Sequence, residues 1–243
     1  MVGRAAAVLA LFAGLVVYYE TSSSLWHWGL WGSVAWISCV LIPAVFLLVL
    51  LALPLRDTRA GLLLAPGFVV LAVILTSINN DLWSNFARLA AAALVGWVFL
   101  RVFESVSWVA LVAVIIPFVD SVSVWRGPTK TITTKHPEVF DVLSFAFPVP
   151  GEHSAAQLGM PDVLFFSLFL GASARFHLRV GWTFVGMVAG LGLTFAATTE
   201  FQALGLPALP GIALGFLAPN ADLVWRAVRQ PERVSDTAGV GHE

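Results

Sequence analysis

Long, uninterrupted apolar runs follow one another along most of this chain, and they leave few folds open to it. Crossing ~30 Å of hydrocarbon takes about 20 helical residues, fewer where the bilayer thins. Eight runs qualify: roughly 5–20, 29–53, 60–77, 85–103, 106–124, 161–176, 180–199 and 205–225. Lipid offers no hydrogen bonds, so backbone N–H and C=O groups must pair within the protein, as helices or as a closed barrel. The runs are continuous rather than alternating, which selects helices. Pro43 inside the long run 29–53 predicts a tilt or a kink there. The expected fold is all-α: a polytopic integral membrane bundle of about eight transmembrane helices.

Composition supports this. Of 243 residues, 59% are hydrophobic and 11% charged, whereas soluble domains run near 45–50% apolar and about 25% charged. Ten tryptophans suit a chain with many segments crossing the headgroup level. A net charge of -1, with bases thinly spread, excludes a nucleic-acid partner and leaves the lipid bilayer as the main surroundings. The single cysteine, Cys39, can form neither an internal disulfide nor a metal framework. Arg4 and the apolar stretch after it admit a signal-peptide reading. The lack of a small-residue cleavage site, and the Trp-bearing stretch 21–28, favour a retained first helix.

Residues 1–229 are expected to form a single membrane-embedded domain, and 230–243 a flexible tail. One connection is long and polar, 125–160, with a short apolar run at 142–149 that could add a strand. With the N-terminus inside, nine bases fall on one side: Arg4, Arg56, Arg59, Arg101, Arg175, Arg179, Arg226, Arg229 and Arg233. Four fall on the other, Arg88, Arg126, Lys130 and Lys135, three of them in the long connection. The excess places both termini in the cytoplasm of a multi-pass protein, and its compactness suggests a prokaryotic plasma membrane.

An ionisable group at membrane depth costs several kcal/mol by most scales and marks function by default. Of fourteen acids, only Asp120 and Asp162 lie within apolar surroundings away from the other connections. Asp120 stands about four residues, or ~6 Å, before the end of its run. Asp162 opens the next run, which returns from the same face whichever way the protein is inserted. Two carboxylates so placed can share a proton, the arrangement needed for aspartyl hydrolysis. Taken singly, Asp120 could be a structural acid bonded to Ser121, Ser123 or a neighbouring helix, and Asp162 an ordinary acid of a first helical turn.

Asp120 late in one helix, Gly159-Met160-Pro161-Asp162 opening the next and Pro207-Ala208-Leu209 opening the last resemble the three signatures of presenilin and signal peptide peptidase, the intramembrane aspartyl proteases. The likeness covers roughly 106–225. It implies a presenilin-like bundle and Asp120 and Asp162 as catalytic acids. It also implies Pro207, Ala208 and Leu209 as substrate-binding residues, Gly159 and Pro161 as motif support, and no metal or other cofactor. Substrates would be transmembrane or signal-peptide helices. The sequence departs from the family pattern twice: Val119 stands where Tyr is usual, and Pro161 replaces the second Gly of Gly-x-Gly-Asp. Proline suits a first helical turn, which would put Asp162 where the helix dipole favours its ionised form and leave Asp120 the protonated partner.

Other readings compete. The same acids could serve a proton- or cation-coupled transporter or channel, or the chain could be a proteolytically silent relative that binds helices. Prepilin peptidases, which also use membrane aspartates, are a weaker fit. His136, Glu138, Glu152 and His153 carry no metal-binding pattern, and Ser173 lacks a nucleophile elbow.

Overall fold

A computed structural model describes residues 2–126, 137–203 and 205–229. The expected tail at 230–243, like Lys130, Lys135 and His136, lies outside the described residues. All eight apolar runs are helical. They form α1 (Val2–Thr21), α2 (Gly29–Trp36), α3 (Ile42–Ala52), α4 (Arg59–Ser77), α5 (Asp81–Leu100) and α6 (Val106–Arg126). After α7 (Pro137–Val142) comes an antiparallel hairpin, β1 (Ser144–Pro148) and β2 (Ala155–Gly159), then α8 (Met160–Arg175), α9 (Val180–Glu200) and α10 (Leu209–Arg229). The apolar run at 142–149 does contain a strand.

In segment 29–53, where Pro43 predicts a tilt or a kink, a π turn, Ile37–Leu41, joins α2 to α3 one residue before the proline. Proline has no N–H to give the preceding turn, and its ring collides with the carbonyl four residues back; a wider turn relieves both. Thr58 Oγ1 starts α4 by accepting the Gly61 amide at 3.0 Å, and Asn80 Oδ1 starts α5 by accepting that of Trp83 at 3.3 Å. Left-handed residues just past the ends of α4, α8 and α9 (Asn79 φ 53°, His177 φ 54°, Gln202 φ 48°) turn the chain back.

Among the described residues, six spans are long and apolar enough to cross a membrane: Gly3–Ser24, Gly29–Asp57, Arg59–Ser77, Asp81–Leu100, Val106–Arg126 and Val180–Glu200. The chain is an all-α multi-pass membrane bundle. The remaining two long helices fall short of that criterion, α8 in length and α10 in its polar second half. α8, 16 residues long, lies in the middle of the bundle, and from Phe166 to Ser173 every residue is buried. A helix enclosed by protein need not satisfy lipid. Phe46 of α3 meets Phe166 with ring centroids 4.0 Å apart, and Phe216 of α10 stacks on Phe169 at 4.9 Å. α10 carries Asn220, Asp222 and Arg226 along its second half; Asn220 is buried and donates to Thr183 Oγ1 at 2.7 Å.

α9 and α10 touch backbone to backbone. Gly186 and Gly190 face Gly215 and Gly211, and a Cβ built on Gly190 would lie 2.2 Å from the Gly211 carbonyl oxygen. This is small-residue packing on both partners, used where lipid supplies no hydrophobic drive between helices.

The connections sort to two ends. The turn at 22–28, the hairpin and the α9–α10 connection share one end, where the Gly151 amide donates to the Ser22 carbonyl at 2.8 Å. The turns after α3, α5 and α8 share the other, where Arg101 bonds the carbonyl of Arg56 at 3.0 Å and Arg175 that of Leu100 at 2.9 Å. In a Cys39→Ala background, single cysteines at His27, His153 and Gln202 are expected to react with an impermeant maleimide from one side of the membrane. Cysteines at Asp57 and Arg226 should react from the other; labelling of Gln202→Cys and Asp57→Cys from the same side would contradict the fold.

Candidate active site

Asp120 and Asp162 both line one cavity of ≈ 730 Å³ at the hairpin end of the bundle, a size typical of ligand sites, about 300–1,000 Å³. Gly159, Pro161, Pro207 and Ala208 also line it. Leu209, the seventh residue singled out from the sequence, presents its backbone amide to Asp120 Oδ2 at 3.1 Å.

Each acid is held by a helix start. Asp162 occupies the third position of α8, and its carboxylate accepts from the amide of Gly159, the residue that caps the helix. This is the acidic half of a capping box. Pro161 sits in the first turn, where its missing N–H leaves no intrahelical bond unmade. Asp120 projects from α6 six residues before its end, ~9 Å along the axis, and takes the first amide of α10. The dipole argument that separated the two acids on sequence therefore applies to both. Asp120 reaches across to a neighbouring helix, while Ser121 Oγ is turned to the Pro117 carbonyl at 2.7 Å.

The hairpin is the largest part of the site that sequence reasoning left vague. Leu143 accepts from Met160 and Ser154 from Val149, both at 3.0 Å. In the observed register, Ser144, Ala146 and Pro148 therefore turn their backbone polar groups away from β2. Side chains meet that outer edge. Arg88 Nη1 donates to the Ser144 carbonyl at 2.9 Å, and Tyr18 Oη to that of Pro148 at 2.9 Å. The Ala146 carbonyl accepts from Tyr19 Oη at 2.9 Å and Asn85 Nδ2 at 3.0 Å, while Asn85 Oδ1 takes the Ala146 amide at 2.8 Å. Pro148 has no amide to satisfy. β1 is thus closed to any further strand.

On β2 the same register aims the backbone groups of Ala155, Gln157 and Gly159 away from β1. Ala156, Gln157, Leu158 and Gly159 all line the cavity. Its wall from α9 bears Thr194 and Thr198, whose hydroxyls are bonded back to the carbonyls of Gly190 (2.9 Å) and Thr194 (2.8 Å). Asn85 was missed because α5 starts at Asp81, placing this amide a turn inside a helix instead of at its edge. A lone amide in an apolar run was the available signal. Glu152 is engaged by Ser154 Oγ at 2.6 Å and His27 Nδ1 at 3.4 Å.

No protein-family model matches the chain, and no curated protein matches it in sequence.

Asn85→Ala is expected to leave the Ala146 amide and one of its carbonyl bonds unmade. Hydrogen exchange across 144–148 should speed up and thermal stability in detergent fall, on the scale of about 1–3 kcal/mol for a buried polar group left unpaired. Unchanged exchange in that strand would show that Asn85 does not hold it.

Proposed function

We propose that the protein is an intramembrane aspartyl endopeptidase of the presenilin and signal peptide peptidase type, with Asp120 and Asp162 as its catalytic pair. The observation that carries this reading is the convergence of two carboxylates from separate helices on one cavity, beside Gly159, Pro161, Pro207 and Ala208. The three motifs are far apart in sequence, and their meeting at one cavity is what such a protease requires. The presenilin-like arrangement of about eight spans belongs to the same proposal: the enclosed α8 and the amphipathic α10 complete the count beside the other six spans.

The chemistry needs one ionised and one protonated carboxyl. The ionised acid takes a proton from water as the water oxygen attacks the scissile carbonyl carbon, and the protonated acid gives its proton to the carbonyl oxygen. Collapse of the resulting gem-diol breaks the C–N bond. The amine leaves with a proton returned by the first acid, and the second recovers its proton from a diol hydroxyl. The products are a carboxylic acid and an amine, and the pair is restored.

A transmembrane substrate must unwind before its carbonyl can be reached, exposing amides that need new partners. The outward groups of Ala155 and Gln157 suit an added strand, the usual way an extended peptide binds a sheet edge. With the other hairpin edge occupied, such a strand would run along β2 toward Asp162, with Pro207, Ala208 and Leu209 across the cavity. Substrates are then transmembrane or signal-peptide helices. Eight of the ten described arginines and lysines lie toward the end remote from the carboxylates. The positive-inside rule puts that end, with both termini, in the cytoplasm, and a prokaryotic plasma membrane is the proposed location.

Asp120→Asn and Asp162→Asn are each expected to abolish cleavage of a reconstituted helical substrate while the protein stays folded. The double variant should lose little more, because the acids act as a unit. Substantial cleavage by either purified single variant would exclude the pair, and inactivity of the unmutated protein on varied helices would favour a silent helix-binding relative. Pro161→Gly is expected to slow cleavage, measured beside a thermal-stability control, since loss of a preorganised first turn frees Asp162 beyond the ~0.5 Å tolerance of a catalytic group. An equal or faster rate would refute a positioning role for the proline.

A further inference from the structure

The end of the bundle remote from the carboxylates holds a second cavity, ≈ 260 Å³, lined by Arg56, Asp57, Trp97, Leu100, Arg101 and Arg175. It lies where the turn after α3 meets the ends of α5 and α8. Its three guanidiniums are anchored by backbone carbonyls. Arg56 Nη1 donates to Gly171 at 2.9 Å, Arg101 Nη2 to Arg56 at 3.0 Å and Thr58 at 3.2 Å, and Arg175 Nη1 to Leu100 at 2.9 Å. A guanidinium carries five N–H donors, so these bonds orient the Arg101 and Arg175 groups without using up their donors.

The charges do not balance. Within the cavity only Asp57 is acidic; it pairs with Arg56 at 2.9 Å and is 65% exposed, against 15% for the arginine. The lining therefore carries a formal excess of two positive charges. The C-terminal carbonyls of α5 and α8 offset roughly half a charge each, which still leaves about one. A partly enclosed excess of that sign, built from forked donors fixed in place, is complementary to a phosphate oxyanion.

We propose that this cleft binds a phosphate group, that of an anionic phospholipid of the leaflet it faces. Its level fits a headgroup, because it lies among the helix ends where most of the protein's arginines gather. Its flanks fit acyl chains. Leu55, Phe99 and Val102, neighbours in sequence of the lining arginines, are exposed apolar side chains at that end. Clefts of basic residues between transmembrane helices are a recurrent site for acidic lipid headgroups. The bound phosphate would join the α3–α4 turn, α5 and α8 at the end opposite the cavity of Asp120 and Asp162. The inference is independent of the proteolytic reading.

The test is thermal unfolding of the full-length protein in detergent, with lipid retention followed by native mass spectrometry. Phosphatidylglycerol, phosphatidylcholine and inorganic phosphate are added separately. Phosphatidylglycerol should raise the melting temperature more than phosphatidylcholine and remain bound. Arg101→Gln/Arg175→Gln should abolish the difference, with affinity at least about tenfold weaker for each arginine lost, since a charge-assisted bond exceeds the free-energy equivalent of a factor of ten. Arg226→Gln/Arg229→Gln, at the same end but outside the cleft, should leave the difference intact. Should the first double variant fail to fold, Arg101→Lys/Arg175→Lys keeps the charge without the fork and should bind with intermediate affinity. Equal effects of the two lipids, equal losses in the two glutamine pairs, or full affinity in the lysine pair would overturn the site as drawn. A full shift from inorganic phosphate alone, with no further gain from phosphatidylglycerol, would overturn the lipid and assign the cleft to free phosphate.

Discussion

Lipid's inability to hydrogen-bond is the constraint on which the structure depends, and its sharpest test is the β-hairpin. Two five-residue strands of non-helical backbone stand against a membrane bundle. Such backbone persists at membrane depth only where protein or a wet cavity satisfies it. Here the two edges are treated differently. Tyr18 and Tyr19 from α1 and Asn85 and Arg88 from α5 occupy the outer edge of β1. The outer edge of β2 faces a cavity instead. One edge is sealed by side chains, so the other is where a further strand could pair.

The same constraint explains why the central helix is the least lipid-like. α8 touches protein on nearly every side, so it can be short, can open with a proline and an acid, and can carry buried Ser167 and Ser173 whose hydroxyls bond to Leu164 and Leu170 at 2.8 and 2.7 Å. Around it, packing replaces hydrophobic drive. Aromatic rings fill the space toward α3 and α10, and glycines let α9 and α10 meet at backbone distance. That close contact helps to fix the start of α10, whose first amide holds Asp120. The carboxylate geometry is therefore linked to glycines in the middle of the bundle as well as to residues beside the acids.

The two ends of the bundle differ in chemistry. The hairpin end is built from tyrosines, tryptophans and an amide, and its described arginines are Arg88 and Arg126. The opposite end is tied together by arginines that reach across to carbonyls of other segments. Arg4, for example, bonds Leu50 and Leu51 at 2.9 and 2.7 Å. Helix C-termini offer unpaired carbonyls, and an arginine satisfies them while keeping its charge at the headgroup level.

Much of this was legible in the sequence. Continuous apolar runs determined the helices, because hydrophobic length and backbone satisfaction are properties of local sequence. Chain parity put Asp120, Asp162 and Leu209 toward one end, because each span reverses direction whatever it packs against. Pro43 and Pro161 marked a disturbed helix and a helix start, because proline acts on its own turn. The rest was decided by the tertiary structure. That α8 is enclosed, that Asn85 grips Ala146, that Gly190 meets Gly211 and that Asp120 takes the amide of Leu209 are contacts between residues 21 to 89 positions apart. No periodicity or propensity encodes such pairings. They exist only once helix packing has set which faces meet, and the hairpin, the carboxylate pair and the arginine cleft all follow from that packing.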